Sequence, residues 1–189
     1  MPSPTSLLDR DQTVLLVVDV QDRINSVMAD QSHLPRIEIL LDACAVLGVP
    51  VVVTEQYPKG LGTSVASVAN RLAAPPVGKD TFSCAREPAT RSAIASHGRR
   101  QVAVTGIESH VCVLQTALDL LAAGYDVHVP HDAVNSRRFS DRRWALRRMA
   151  AAGAVITTTE SVLFELLERC GTDDFRAVSG LIKRLPVGN

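Results

Sequence analysis

The sequence predicts an α/β fold: three layers, helix–sheet–helix, around a doubly wound, mostly parallel sheet of about six strands. Three observations carry this. Short apolar runs alternate with amphipathic segments along the chain, the pattern of a parallel sheet covered on both faces. Helical stretches stop at Gly48, Gly124, Gly153 and Gly171, where a left-handed turn costs least. The 189 residues, 46% of them apolar, suit one domain with a sizeable core. Residues 1–189 are therefore expected to form a single domain with short flexible tails at both ends.

The first strand is Thr13-Val-Leu-Leu-Val-Val18, an unbroken apolar run suited to burial on both faces. Leu34, Ile37, Leu40, Leu41, Cys44 and Leu47 then recur every three or four residues, predicting a helix over 34–47 that ends at Gly48. Pro50–Thr54 reads as the second strand. Residues 55–80, rich in Pro and Gly, read as long connections around one short helix, and a faint sixth strand is expected between 77 and 84. Gln101–Thr105 is the third clear strand, followed by a helix to Gly124 and a strand at 125–129. Ser140 can cap a helix running to Gly153, Ala154–Thr158 is the next strand, and 160–169 is helical up to Gly171. The stretch from Arg184 to Asn189 reads as a frayed tail.

Composition narrows the function. Twenty basic and 20 acidic residues give a formal net charge of zero, so the totals offer no pull towards nucleic acid or an anionic membrane. The arginine cluster at 137, 138, 142, 143, 147 and 148 reads as a solvated helix face or a subunit contact. No apolar run approaches the roughly 18 residues of a membrane span, and Met1–Asp11 shows no secretory pattern. Cysteines at 44, 84, 112 and 170 match neither a disulfide framework nor a zinc spacing. These features suggest a soluble, cytoplasmic protein with free thiols.

In a doubly wound sheet, ligands bind outside the carboxyl ends of the strands where strand order reverses. If strand 13–18 lies beside strand 101–105, that crevice is flanked by Asp19-Val-Gln-Asp22 and by Gly106-Ile-Glu-Ser-His-Val-Cys112. Near a helix N-terminus the Cys112 thiolate would be favoured by the backbone dipole and free amides; alternatively Cys112 is a small buried hydrophobe. Asp19 is either a turn former or a functional carboxylate. Cys44 belongs to a core, and Cys84 and Cys170 lack charged sequence neighbours that would activate them. No G-x-G-x-x-G follows the first strand and no P-loop is present, which argues against dinucleotide and nucleotide binding.

Val17-Val-Asp-Val-Gln21, Gly78-Lys79, and Gly106-Ile-Glu-Ser-His-Val-Cys-Val113 with Thr116-Ala117 together resemble the isochorismatase-like cysteine hydrolases, over roughly residues 11–183. Thr54–Gly62, Asp132–Arg137 and Thr159–Phe164 are similar to the isochorismatase domain-containing branch. The resemblance implies a triad of Asp19 as general base, Lys79 as the cation steadying both partners and Cys112 as nucleophile. It also implies a cis peptide between Ile107 and Glu108, with the amides of Glu108 and Cys112 forming an oxyanion hole. The implied reaction is hydrolysis of a small molecule, an amide, ureide or related C–N bond, through a thioester-type intermediate. Vinyl-ether hydrolysis and a catalytically silent scaffold are the alternatives. Gln21, Gln56, Tyr57 and Phe82 are the expected pocket residues, whereas His110 reads as packing. The Asp-x-His of metal-binding relatives is replaced by Glu55-Gln56-Tyr57, and His128 and His131 lack a third ligand in sequence, so neither metal nor cofactor is expected. Ile24 stands where an aromatic residue is usual. The family also implies a homo-oligomer; Trp144 and Met149, five residues apart on the helix from Ser140 that also carries Arg143 and Arg147, cannot both face one core, so this helix either forms a subunit contact or packs Trp144 on the sheet.

Overall fold

A computed structural model describes residues 7–185. The outermost tail positions, 1–6 and 186–189, lie outside the described residues; Arg184 and Leu185 still bond back to the carbonyls of Leu181 and Ile182. In chain order the structure runs β1 (Thr13–Val18), α1 (Asp22–Asn25), α2 (His33–Leu47), β2 (Val51–Gln56), α3 (Pro58–Leu61), α4 (Ala66–Ala69), β3 (Val77–Lys79) and α5 (Pro88–Ala95). It continues with β4 (Gln101–Ile107), α6 (Leu114–Ala122), β5 (Asp126–Pro130), β6 (Val134–Asn135), α7 (Phe139–Ala151), β7 (Val155–Thr157), α8 (Thr159–Leu167) and α9 (Asp173–Ile182).

The sheet is parallel with order β3-β2-β1-β4-β5-β7. The two-residue β6 adds a seventh strand beside the end of β4, pairing Val134 with Gly106 and Asn135 with Ile107. Alternation along β1 explains its unbroken apolar sequence. Leu15 and Val17 join one core with α2, α8 and α9, while Val14, Leu16 and Val18 join the other with α5, α6 and α7. Cys44 lies in the first core, where burial pushes its thiol up to about 12.

Helices α5 and α9 add to the elements that the sequence predicts. The expected region of long connections holds two short helices, α3 and α4, and the faint strand is β3. The helix after β4 also differs, opening with a wide π-helical turn, Ser109–Val113, before α6. β1 and β4 lie side by side, so strand order reverses between them and the crevice opens at Asp19 and Gly106. Gly106 is required there. It pairs with Val18 at φ +106°, and a Cβ on it would lie 2.1 Å from Val18 O.

Candidate active site at the strand carboxyl ends

Asp19 leaves β1 with a left-handed backbone, φ +53°, a conformation that costs a non-glycine residue about 1 kcal/mol or more. It aims the carboxylate between β2 and β3. Thr54 Oγ1 donates to Oδ1 at 2.7 Å, and Lys79 Nζ donates to Oδ2 at 2.7 Å. Both side chains of the ion pair are fully buried. Lys79 Nζ also faces Gln56 Oε1 at 2.6 Å and the carbonyls of Thr81 and Phe82 at 3.1 and 3.2 Å. Burial pushes the ammonium's pKa down more than any other single influence, but Asp19, Cys84 and Cys112 together outweigh it and the net shift is upward, so Lys79 stays charged.

Cys112 stands across the crevice inside the Ser109–Val113 turn, 4% exposed. Burial raises its thiol pKa most; repulsion from Asp19 and the hydrogen bond to that carboxylate add to the rise, against Lys79. These effects favour the protonated thiol, which hydrogen-bonds to the Asp19 carboxylate. This corrects the expectation of a thiolate favoured by a helix N-terminus. The helix proper starts at Leu114, and burial beside the Asp19 carboxylate raises the thiol pKa.

Cys84 is the neighbour that sequence reasoning missed. Its Sγ is 3.5 Å from Thr54 Oγ1, and its backbone N–H donates to Thr116 Oγ1 at 2.9 Å. Burial pushes this thiol up to about 11, with Asp19 adding and Lys79 opposing. Its charged neighbours lie far along the chain apart from Lys79, and a local reading could not bring them together.

Gln21 and Gln56 lie at the crevice, yet their amides brace its wall. Gln21 Nε2 donates to the carbonyls of Gln56 and Gly62, and its Oε1 accepts from the Gln56 N–H at 2.7 Å. Gln56 Nε2 donates to Asp80 O at 2.9 Å. Tyr57 and Phe82 follow β2 and β3 as exposed aromatic rings. Glu108 follows a cis Ile107–Glu108 peptide, and its carboxylate accepts from the Arg137 backbone N–H and Nε. His110 Nδ1 is 3.0 Å from Ser136 Oγ, a packing contact beside the turn. Among the described residues no group of three or more His, Cys, Asp and Glu side chains is placed to hold a metal ion. Glu55 is engaged with the N–H and hydroxyl of Ser64. Nor is any helix there long and apolar enough to cross a membrane.

Comparison with known proteins bears on the family and the fold. The isochorismatase domain profile matches residues 13–161. Isochorismatase domain-containing protein 1 of Salmo salar is 38% identical over 90% of this chain, which spans 61% of that protein's length. The secreted isochorismatase effector Isc1 of Phytophthora sojae is 41% identical, covering 90% of this chain and 84% of its own. Among solved structures, the MAR1 ribonuclease of Caenorhabditis elegans superposes with TM-score 0.89 at 37% identity, covering 96% of this chain and 95% of its own. The YcaC gene product of Escherichia coli, described as an octameric hydrolase of unknown specificity, gives 0.89 at 25% identity, covering 95% and 91%. By its profile, its relatives and its fold, this chain belongs to the isochorismatase family.

Proposed function

We propose that the protein is a cysteine hydrolase acting on an amide, ureide or related C–N bond of a small molecule. The observation that carries this is the meeting of Asp19, Lys79 and Cys112 in one buried crevice. As Cys112 Sγ attacks the substrate carbonyl, its proton passes to Asp19, and the fixed Lys79 ammonium balances the charge moving between them. The amides of Glu108 and Cys112 take the developing oxyanion. The C–N bond breaks, Asp19 returns the proton to the leaving nitrogen, and a thioester remains. Asp19 then deprotonates a water that attacks the thioester, releasing the acid and restoring the thiol. With Cys112 almost inaccessible, only a small reacting group can reach it.

The test is a turnover screen against small amides, ureides and isochorismate, with an RNA oligonucleotide as the competing substrate and Cys112→Ala as the blank. We expect hydrolysis of a C–N bond, unaffected by chelator, falling at least about 10³-fold in Cys112→Ala while the fold is kept. Isochorismate as sole substrate would favour vinyl-ether chemistry. Wild-type turnover in Cys112→Ala would remove the triad, and slow uniform alkylation of all cysteines would favour a silent scaffold.

The protein is further proposed to work as a homo-oligomer through α7. Met149 on this helix is wholly buried, whereas Trp144 is 58% exposed with the Arg147 guanidinium 5.0 Å from its ring centroid. An exposed Trp–Arg pair is characteristic of subunit contacts. Light scattering is expected to report an oligomer that Trp144→Glu dissociates. A monomer at micromolar concentration would refute assembly, and an intact oligomer in the variant would refute this location.

A further inference from the structure

One buried titratable side chain outside the reacting groups joins the two sides of the crevice. His33, the first residue of α2, is fully buried. Its Nε2 lies 2.8 Å from Asn25 Oδ1, and its Nδ1 lies 3.2 Å from Asn135 Nδ2. Asn25 ends α1, and its backbone N–H donates to Gln21 O at 2.7 Å, closing the turn that follows Asp19. Asn135 pairs with Ile107, and its carbonyl accepts from Ser109 Oγ at 2.9 Å, at the start of the turn carrying Cys112. One ring thus connects the Asp19 turn to the Cys112 turn.

The direction of each hydrogen bond is determined by its neighbours. Asn135 Nδ2 faces Asp30 O at 2.9 Å and Asp30 Oδ1 at 3.1 Å, both acceptors, and Asn135 Oδ1 accepts from the Ser136 N–H. The amide nitrogen is therefore a donor, and His33 Nδ1 must accept. The imidazole proton then sits on Nε2 and is donated to Asn25 Oδ1. Asn25 Nδ2 donates in turn to Gln31 Oε1 at 2.7 Å, and Gln31 Nε2 donates to Asn25 O at 3.0 Å. Only the neutral Nε2–H tautomer opposes no two donors, the two N–H protons of Asn135 being shared among its three acceptors. Burial holds the His33 pKa down to about 4, with Arg142 adding to the depression and Asp30 opposing it.

We propose that His33 is a positioning residue: as the neutral Nε2–H tautomer it holds the Asp19 turn in register with the Cys112 turn. It thereby sets the distance over which the thiol proton moves. This rests on the reading of Asp19 and Cys112 as an acid–base pair, and the experiment separates the two. The pH dependence of Cys112 alkylation by iodoacetamide, mapped by peptide mass, is measured for wild type, His33→Leu and His33→Gln, each checked for folding by circular dichroism. His33→Leu is expected to move the midpoint by about half a pH unit or more and to change the rate at pH 7.5 by roughly threefold or more. His33→Gln, which keeps a donor and an acceptor, is expected to recover part of both. On a cleaved substrate kcat should fall while KM changes less than about twofold.

A folded His33→Leu protein with the wild-type midpoint would overturn the proposal. Should that variant fail to fold, nitrogen NMR of the wild type decides: an Nδ1–H or doubly protonated His33 at pH 7 overturns it, and the Nε2–H form supports it. A shifted midpoint in a protein that hydrolyses nothing keeps the coupling and sinks only the hydrolase reading. Hydrolysis lost in Cys112→Ala but untouched in His33→Leu does the reverse.

Discussion

Two regions of one sheet bury polar groups and treat them in opposite ways. Beyond the ends of β1, β2 and β3, Asp19 and Lys79 are removed from water as a charged pair. Thr54 and Lys79 answer the carboxylate, while Asp19, Gln56 and two carbonyls answer the ammonium. In the middle of β5, His128 is equally inaccessible, but neither ring nitrogen has a hydrogen-bond partner among the described residues. Asp126 Oδ1, two residues away, is unmatched in the same way. Burial lowers the His128 pKa, with Glu165 and Asp126 opposing, and the ring stays neutral. The two sites differ in connectivity rather than in burial. A charge is retained in the interior where a closed network answers it; the unanswered imidazole of His128 is kept neutral.

The largest effect should come from opening the closed network. Lys79→Met leaves Asp19 buried without its counter-charge, so we expect a loss of about 3–5 kcal/mol in urea unfolding together with loss of activity. The double variant Asp19→Leu/Lys79→Met should recover part of the stability and none of the activity. A loss below about 1 kcal/mol in Lys79→Met would break the comparison. Next is Thr54→Val, nearly isosteric, which removes only the hydroxyl from Asp19 Oδ1 and should cost about 1–2 kcal/mol by the same measurement.

The smallest change is expected at β5. His128→Leu removes a group that no hydrogen bond holds, so stability at pH 7 should stay within about 1 kcal/mol of wild type or rise. The clearer signature is in pH. Unfolded, His128 binds a proton as pH falls below its ordinary value of 6.5, whereas the folded form, with its depressed pKa, does not until lower pH. Unfolding free energy therefore declines as pH falls through that window. His33, held to about 4, contributes with the same sign between 6.5 and about 4. His128→Leu should flatten the decline by one of these two contributions, read from urea midpoints between pH 7 and 5. An unchanged slope would mean that His128 titrates alike folded and unfolded.

The layered fold was legible because its signal is local. Alternating apolar runs mark β1, β2, β4 and β5, and the period of Leu34 to Leu47 marks α2, since burial on two faces of a strand or one face of a helix imposes a repeat within a few residues. The shortest element carries no such repeat: β6 has two residues, too few for a period. Asp19, Lys79 and Cys112 stood out through motif resemblance, each on its own stretch of chain. Their common environment did not follow from any one stretch. Whether Cys112 rests as a thiol or a thiolate depends on burial and on a carboxylate 93 positions earlier, numbered 19 against 112. Cys84 and His33 carried no local mark because their partners, Thr54 and Thr116 for one and Asn25 and Asn135 for the other, are brought close only by the sheet and its crossovers. Sequence alone determined the periodicities and the residue types capable of chemistry. The tertiary structure decided which of those residues share a desolvated space, and hydrogen bonding and charge interaction depend on distances through space.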